Sequence, residues 1–264
     1  DTALELYANI YATSNNDYTK AQMDLRIGQI SLDRNQPEEA YPYLQDAVNN
    51  FPFAYDAFTA LLLLLDAGQE VNEYQRGLIN TYVGQYALAI EAFDRYLASG
   101  AEPNADAALY HKALATRSLD TEPVEDNYQA AVALWEQLIL EYPTSDYYID
   151  AWQDIEYTRW AFLGEAEAAA EHALTYVAQR PESAEAPDFL FLAGRSYERA
   201  GLLAEAADTW TRIADEYPNA AETFRATYFA GIATVRLGDW AGARSLFSRA
   251  LVLTTEPAEV AAAH

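Results

Sequence analysis

Three histidines, His111, His172 and His264, and forty-one carboxylates are the side chains with the chemistry to hold a metal or move a proton. Two imidazoles reach one ion when a helix spaces them four residues apart, and none of the three has a partner at that distance. Paired carboxylates such as Glu38 with Glu39, or Glu165 with Glu167, could hydrolyse a glycoside only if held about 5–10 Å apart across a sugar cleft with one pKa raised. Both pairs fall instead where the first turns of helices are expected, and there their charge complements the helix dipole. Glu182 precedes Ser183 and follows Pro181 at an expected turn, the setting of a solvated carboxylate. No Gly-rich phosphate loop or Gly-x-Ser-x-Gly elbow occurs. With no cysteine there is neither a thiolate ligand nor a disulfide. The expectation is a chain with no catalytic residue, no metal and no cofactor, whose work is binding.

Composition narrows what it binds. Sixteen Lys plus Arg against forty-one Asp plus Glu leave a formal charge of −25, spread along the chain and not blocked into a tail. Phosphate-bearing partners need clustered basic residues that release counterions, so neither nucleic acid nor an anionic membrane surface is expected. Cationic or neutral ligands suit this field better. The most apolar run, Phe58 to Leu65, is bounded by Asp56 and Asp66 and is far shorter than the roughly 20 residues that cross a bilayer. It reads as a buried helix.

What positions the binding residues is a repeat. Gly194, Ala206, Trp210 and Pro218 follow one another at intervals of 12, 4 and 8 residues, and Gly28, Ala40, Leu44 and Pro52 repeat those intervals. Gly231, Ala243 and Phe247 continue the series with Thr255 in the Pro place, as do Gly77, Ala89 and Phe93 with Ala101 there. Two weaker copies carry Ala131, Trp135 and Pro143, with about six extra residues around Asp120 to Asp126, and Ala169 with Pro181. In the latter, Tyr157 stands in the Gly place and Ala173 in the large apolar place. This is the tetratricopeptide pattern of paired helices A and B. Small residues let the two helices approach, and the Leu or aromatic fills the space beside them. A second glycine at Gly84, Gly164, Gly201 and Gly238 suits a left-handed helix cap, and Pro closes helix B.

The helix-B alanines Ala131, Ala169, Ala206 and Ala243 are 38, 37 and 37 residues apart, against 34 for the standard unit. The surplus falls between repeats, at stretches such as Arg180 to Glu185 and Tyr217 to Glu222. A helix over Leu4 to Ala12 is expected as a leading half-repeat, and one over Ala54 to Asp66 between two repeats. About fifteen helices are expected, in one continuous all-α, tetratricopeptide-like right-handed solenoid over 1–264. Its N-terminal part, 1–70, is irregular, the repeats occupy 71–257, and 258–264 begins a further helix A, so the natural protein is expected to continue past His264. Helix-A residues turned away from helix B should line a concave groove. By register these are Tyr74, Leu78, Phe191, Arg195, Glu198, Tyr228 and Ile232, an apolar and aromatic set suited to a protein or peptide partner.

Three stretches resemble the non-catalytic helical part of soluble lytic transglycosylases: Tyr55 to Gly68, Tyr74 to Tyr86, and Phe224 to Ala233 with Trp240 to Arg244. That resemblance implies a scaffold that positions a separate lysozyme-like domain on peptidoglycan in the cell envelope, outside the cytoplasm. The family's catalytic arrangement, a Glu-Ser pair followed by a Gly-Leu-Met-Gln-like segment, is absent here, the one Glu-Ser being Glu182-Ser183 at its turn, so no active-site residue carries over. The Tyr-Pro turns at Tyr142-Pro143 and Tyr217-Pro218 are also similar to envelope adaptors of outer-membrane assembly and of the Tol system, which imply protein binding without chemistry.

Overall fold

The computed structural model describes residues 2–100 and 103–253. Fourteen α-helices and no strand occur among them. They fall into two compact units, Asp1–Tyr147 and Tyr148–His264. The first holds α1 (Thr2–Thr13), α2 (Asp17–Asp33), α3 (Pro37–Asn50), α4 (Tyr55–Asp66), α5 (Glu73–Tyr82), α6 (Tyr86–Ala98), α7 (Ala105–Arg117) and α8 (Val124–Glu141). The second holds α9 (Tyr148–Ala161), α10 (Ala166–Gln179), α11 (Ala186–Ala200), α12 (Leu203–Glu216), α13 (Thr223–Arg236) and α14 (Trp240–Leu253). The leading half-repeat is α1, and the apolar helix between repeats is α4. Thr255 and the further helix expected over Ala258 to His264 lie outside the described residues, as does Ala101.

The sequence punctuation marks these helices out. At the α11–α12 turn Gly201 adopts φ +79°, a left-handed conformation that a Cβ disfavours. Its N–H bonds Glu198 O and the next N–H, of Leu202, bonds Tyr197 O, so the last carbonyls of α11 are satisfied. Only two residues then separate α11 from α12, which folds the chain back on itself.

Packing within each hairpin follows the repeat. A Cβ built on Gly194 would collide with the Trp210 indole, one on Gly77 with the Phe93 ring, one on Gly231 with Phe247 at 2.6 Å, and one on Gly28 with Leu44 at 2.6 Å. In these four hairpins hydrogen therefore stands on helix A where helix B carries its large residue; α7, opposite Trp135, has no glycine. Ala40, Ala89, Ala131, Ala169 and Ala206 are fully buried at their shared position. So are Leu44, Phe93, Trp135 and Trp210, four residues further on. Burying an aromatic of about 150–250 Å² removes roughly 4–6 kcal/mol of apolar exposure at about 25 cal/mol per Å², an upper bound because the unfolded chain is already partly compact.

The pair α9–α10 departs from the expected register. The burial pattern of α9 matches that of α11 when Glu156, and not Tyr157, is set on Gly194. Glu156 is 2% exposed, while Tyr157 stands 43% exposed. The cause lies in the connection, which has four residues (162–165) where α11–α12 has two. With the small Ala173 on α10, bulk sits on helix A instead: Trp152 stacks on His172 at 4.4 Å and meets Tyr176 edge-on at 5.5 Å.

Candidate functional site

The residues expected to line a groove divide by unit and by depth. Tyr74 (8% exposed) and Leu78 (5%) are buried in the first unit. Tyr74 packs on Phe93 and Tyr96, with centroids 6.2 and 5.5 Å away. The pair fills the core shared by α5, α6 and α7 instead of forming a wall. The reason is positional. Tyr74, Phe191 and Tyr228 each precede a repeat glycine by three residues, so each leans over that glycine onto the large helix-B ring: Phe93, Trp210 at 6.2 Å and Phe247 at 5.7 Å. Ile232 is half-buried on α13.

In the second unit Phe191, Arg195 and Glu198 are brought together on one face of α11, and neighbours that register counting missed complete the site. Asp188, Phe191, Leu192, Arg195 and Arg199 recur at i, i+3, i+4, i+7 and i+11, a single helical stripe. Glu156, Tyr157 and Trp160 of α9 flank it on one side, with Arg225 of α13 and Glu222 on the other. All of these except Arg195 line a recess of 440 Å³.

Guanidinium groups stacked on rings cross-link the three helices A. Arg199 of α11 lies over Trp160 of α9, 3.7 Å from the ring centre. Arg225 of α13 lies 4.0 Å over Phe191 of α11, and Arg195 of α11 lies 5.2 Å over Phe229 of α13. Each such pair contributes roughly 0.5–2 kcal/mol, depending on exposure. Stacking holds a guanidinium by its face and leaves its N–H edge able to meet a carboxylate or carbonyl. Glu198 accepts from Arg195 at 2.6 Å and from Arg236 at 3.0 Å, which fixes the far end of the stripe.

The carboxyls of the recess are poised differently. Glu156 is buried and accepts a 2.5 Å hydrogen bond from Ser196 Oγ. Burial lifts its pKa, against the opposing pull of that bond and of Arg199. Burial and the facing Glu222 push Asp188 up to about 6. A second cation is therefore favoured beside Asp188 and Glu222.

His111 and His172 are packing residues, and His264 lies outside the described residues. Burial lowers both His111 and His172 to about 4. His111 stacks on Phe93 at 6.4 Å, and His172 Nε2 lies 3.2 Å from Trp152 O. Among the described residues no group of three or more His, Asp and Glu could hold a metal ion, and no helix is long and apolar enough to cross a membrane.

Comparison with known proteins agrees on the fold. The family model described as "Tetratricopeptide repeat" matches residues 107–145 and 188–220, the α7–α8 and α11–α12 hairpins. No curated protein sequence matches. Among solved structures, the apo form of RapI is 12% identical, covers 92% of this chain and 79% of its own, and has a TM-score of 0.52. YrrB, described as a TPR protein with an unusual peptide-binding site, is 16% identical over 78% of this chain and 96% of its own, with a TM-score of 0.44. MamA from residue 41 to its end, from Desulfovibrio magneticus RS-1, is 18% identical over 89% and 94%, with a TM-score of 0.40. At these identities the likeness shows architecture alone: the chain is an all-α solenoid of tetratricopeptide repeats.

Proposed function

We propose that this chain is a non-catalytic scaffold whose second-unit groove holds an extended segment of a partner protein. The observation that carries the reading is the ladder of Arg199 on Trp160, Arg225 on Phe191 and Arg195 on Phe229. It presents preordered hydrogen-bond donors on two successive helices A, α11 and α13, so little side-chain entropy is lost when a peptide backbone or carboxylate docks. Asp188 and Glu222 add a place for a basic side chain, in keeping with a chain of net charge −25.

The test is capture followed by mapping. A partner recovered on the immobilised chain is cut into overlapping peptides, and binding is compared with Trp160→Ala and Arg225→Ala variants whose helicity is unchanged. Loss of at least about tenfold in affinity in each variant is expected, near 1.4 kcal/mol. Unchanged affinity in both would remove the groove from the reading.

Placement of that partner in the cell envelope rests on the resemblance to lytic transglycosylase helical parts and to outer-membrane assembly or Tol adaptors, carried by the sequence stretches alone. Retention on purified peptidoglycan sacculi would favour the first of these, as a positioning domain for an enzyme. Binding to protein with no retention on sacculi favours the adaptor.

A further inference from the structure

A second, smaller recess of 280 Å³ lies in the first unit between α1, α2 and α3. Two carboxyls, Asp24 from α2 and Asp46 from α3, face each other in it, beneath Tyr11 of α1. Asp24 is 2% exposed, and its Oδ2 is buried without a hydrogen-bond partner. Asp46 is already engaged on both oxygens, accepting from Tyr11 Oη at 2.6 Å and from Asn50 Nδ2 at 2.6 Å. Neither carboxyl has a cation against it. Lys20, which tempers the charge of Asp24 from a distance, sits over the Tyr11 ring with Nζ 5.3 Å from its centre. The remaining walls are apolar, from Ile27, Pro42 and Tyr43.

With no cation in contact, a buried acid pair of this kind is satisfied only by a proton held between its carboxyls, and a positive charge at Asp24 Oδ2 would take that proton's place. The apolar walls argue against a hydrated divalent ion, which takes six or more oxygen ligands or keeps its waters. They suit the methylene stem of an organic cation.

We propose that this recess binds a primary alkylammonium group, the ammonium at Asp24 and Asp46 and the stem along Ile27, Pro42 and Tyr43. The same chemistry is carried by a small free amine and by a lysine side chain of a partner protein. Burial, with Asp46 opposite, pushes Asp24 up to about 8, so at neutral pH the pair shares one proton. An arriving ammonium releases that proton to solvent.

Calorimetry on the intact chain tests this with n-butylammonium chloride, 1-butanol, and a five-residue alanine peptide with a central lysine and blocked ends. Butylammonium is expected to bind at least about tenfold more tightly than butanol. Its heat should change with the ionisation enthalpy of the buffer at pH 7, to the extent of about one proton released. Tighter binding of the peptide than of butylammonium assigns the recess to a lysine side chain; the reverse assigns it to a free amine. Asp24→Asn, close to isosteric and still able to donate to Asp46, should weaken butylammonium at least about tenfold. Equal binding of butanol and butylammonium, or no heat from either, would overturn the proposal, and that comparison needs no variant.

Discussion

Gly194 has no side chain because Trp210 needs its space. A methyl at this position would collide with the indole, whose Nε1 donates to Phe191 O at 3.2 Å and so cannot rotate away without losing a buried hydrogen bond. Gly194→Ala should therefore destabilise by about 1–3 kcal/mol through overpacking, although alanine is the better helix former by about 1 kcal/mol. At Gly28 the obstructing group is Leu44, a flexible side chain, and Gly28→Ala should cost less. Chemical denaturation checks both. Combining Gly194→Ala with Trp210→Leu should recover part of the loss, and strict additivity of the two changes would show that they do not share this contact. A pH titration separates the buried ionisable groups at the same scale. His111 and His172 titrate near 4 in the folded chain, below about 6.5 when unfolded. The unfolded chain therefore takes up their protons first, and the stability they carry is full above about 6.5 and lost as pH falls towards 4. His172→Gln should flatten the acid limb of a plot of melting temperature against pH. Asp24 has the opposite sign: with its folded pKa raised to about 8, it favours folding below about 4 and that contribution is lost as pH rises to about 8. Asp24→Asn should then stabilise the chain at pH 9, on the order of 2 kcal/mol, relative to its effect at pH 4.

At the scale of the helix pair, what can be read without coordinates is set by contact geometry. Gly77, Gly194 and Gly231 are legible because a hydrogen is required opposite Phe93, Trp210 and Phe247, and a required residue leaves a fixed interval. The groove has no such interval. Tyr74 and Phe191 occupy the same register position, yet Tyr74 is sealed among α5, α6 and α7 while Phe191 is covered on its groove side by Arg225. That difference comes from the neighbouring helix, which register alone does not specify. Trp160 is hidden for a related reason, since the longer α9–α10 connection moves Tyr157 out of the place counted for it, while Arg199 and Arg225 are set by the rings of the neighbouring helix A. The stripe Asp188, Phe191, Leu192, Arg195, Arg199 was visible as a period, and weighing its arginines against aromatics on the flanking helices would have found the ladder. The turn at Gly201 allows a prediction at this scale. Gly201→Ala would place a Cβ at φ +79° with nothing within 4 Å to clash, so its cost should be conformational only, about 1 kcal/mol. Denaturation should show that loss with an unchanged m-value; a much larger loss would indicate that α12 is repositioned.

Over the whole molecule, surplus negative charge acts on every helix at once. Forty-one acidic side chains against sixteen basic ones leave −25 on a chain of 264 residues, and the folded state holds those charges closer together than the unfolded chain does. The described ion pairs are mostly exposed, such as Arg249 with Asp215 at 2.7 Å and Arg212 with Glu216 at 2.8 Å, and exposed pairs contribute about 0–1 kcal/mol each. Salt screens attraction in the pairs and repulsion among the surplus carboxylates alike, with a screening length falling from about 30 Å at 0.01 M to about 3 Å at 1 M. Because the surplus far exceeds the pairs, repulsion outweighs attraction. Raising sodium chloride from about 0.01 to about 1 M should therefore raise the melting temperature by several degrees, and Glu38→Lys with Glu167→Lys, exposed at the starts of α3 and α10, should reduce that rise. A melting temperature that falls on adding salt would mean that the ion pairs and the stacked guanidinium ladder outweigh the net charge, and would move the source of stability from the apolar hairpins towards those contacts.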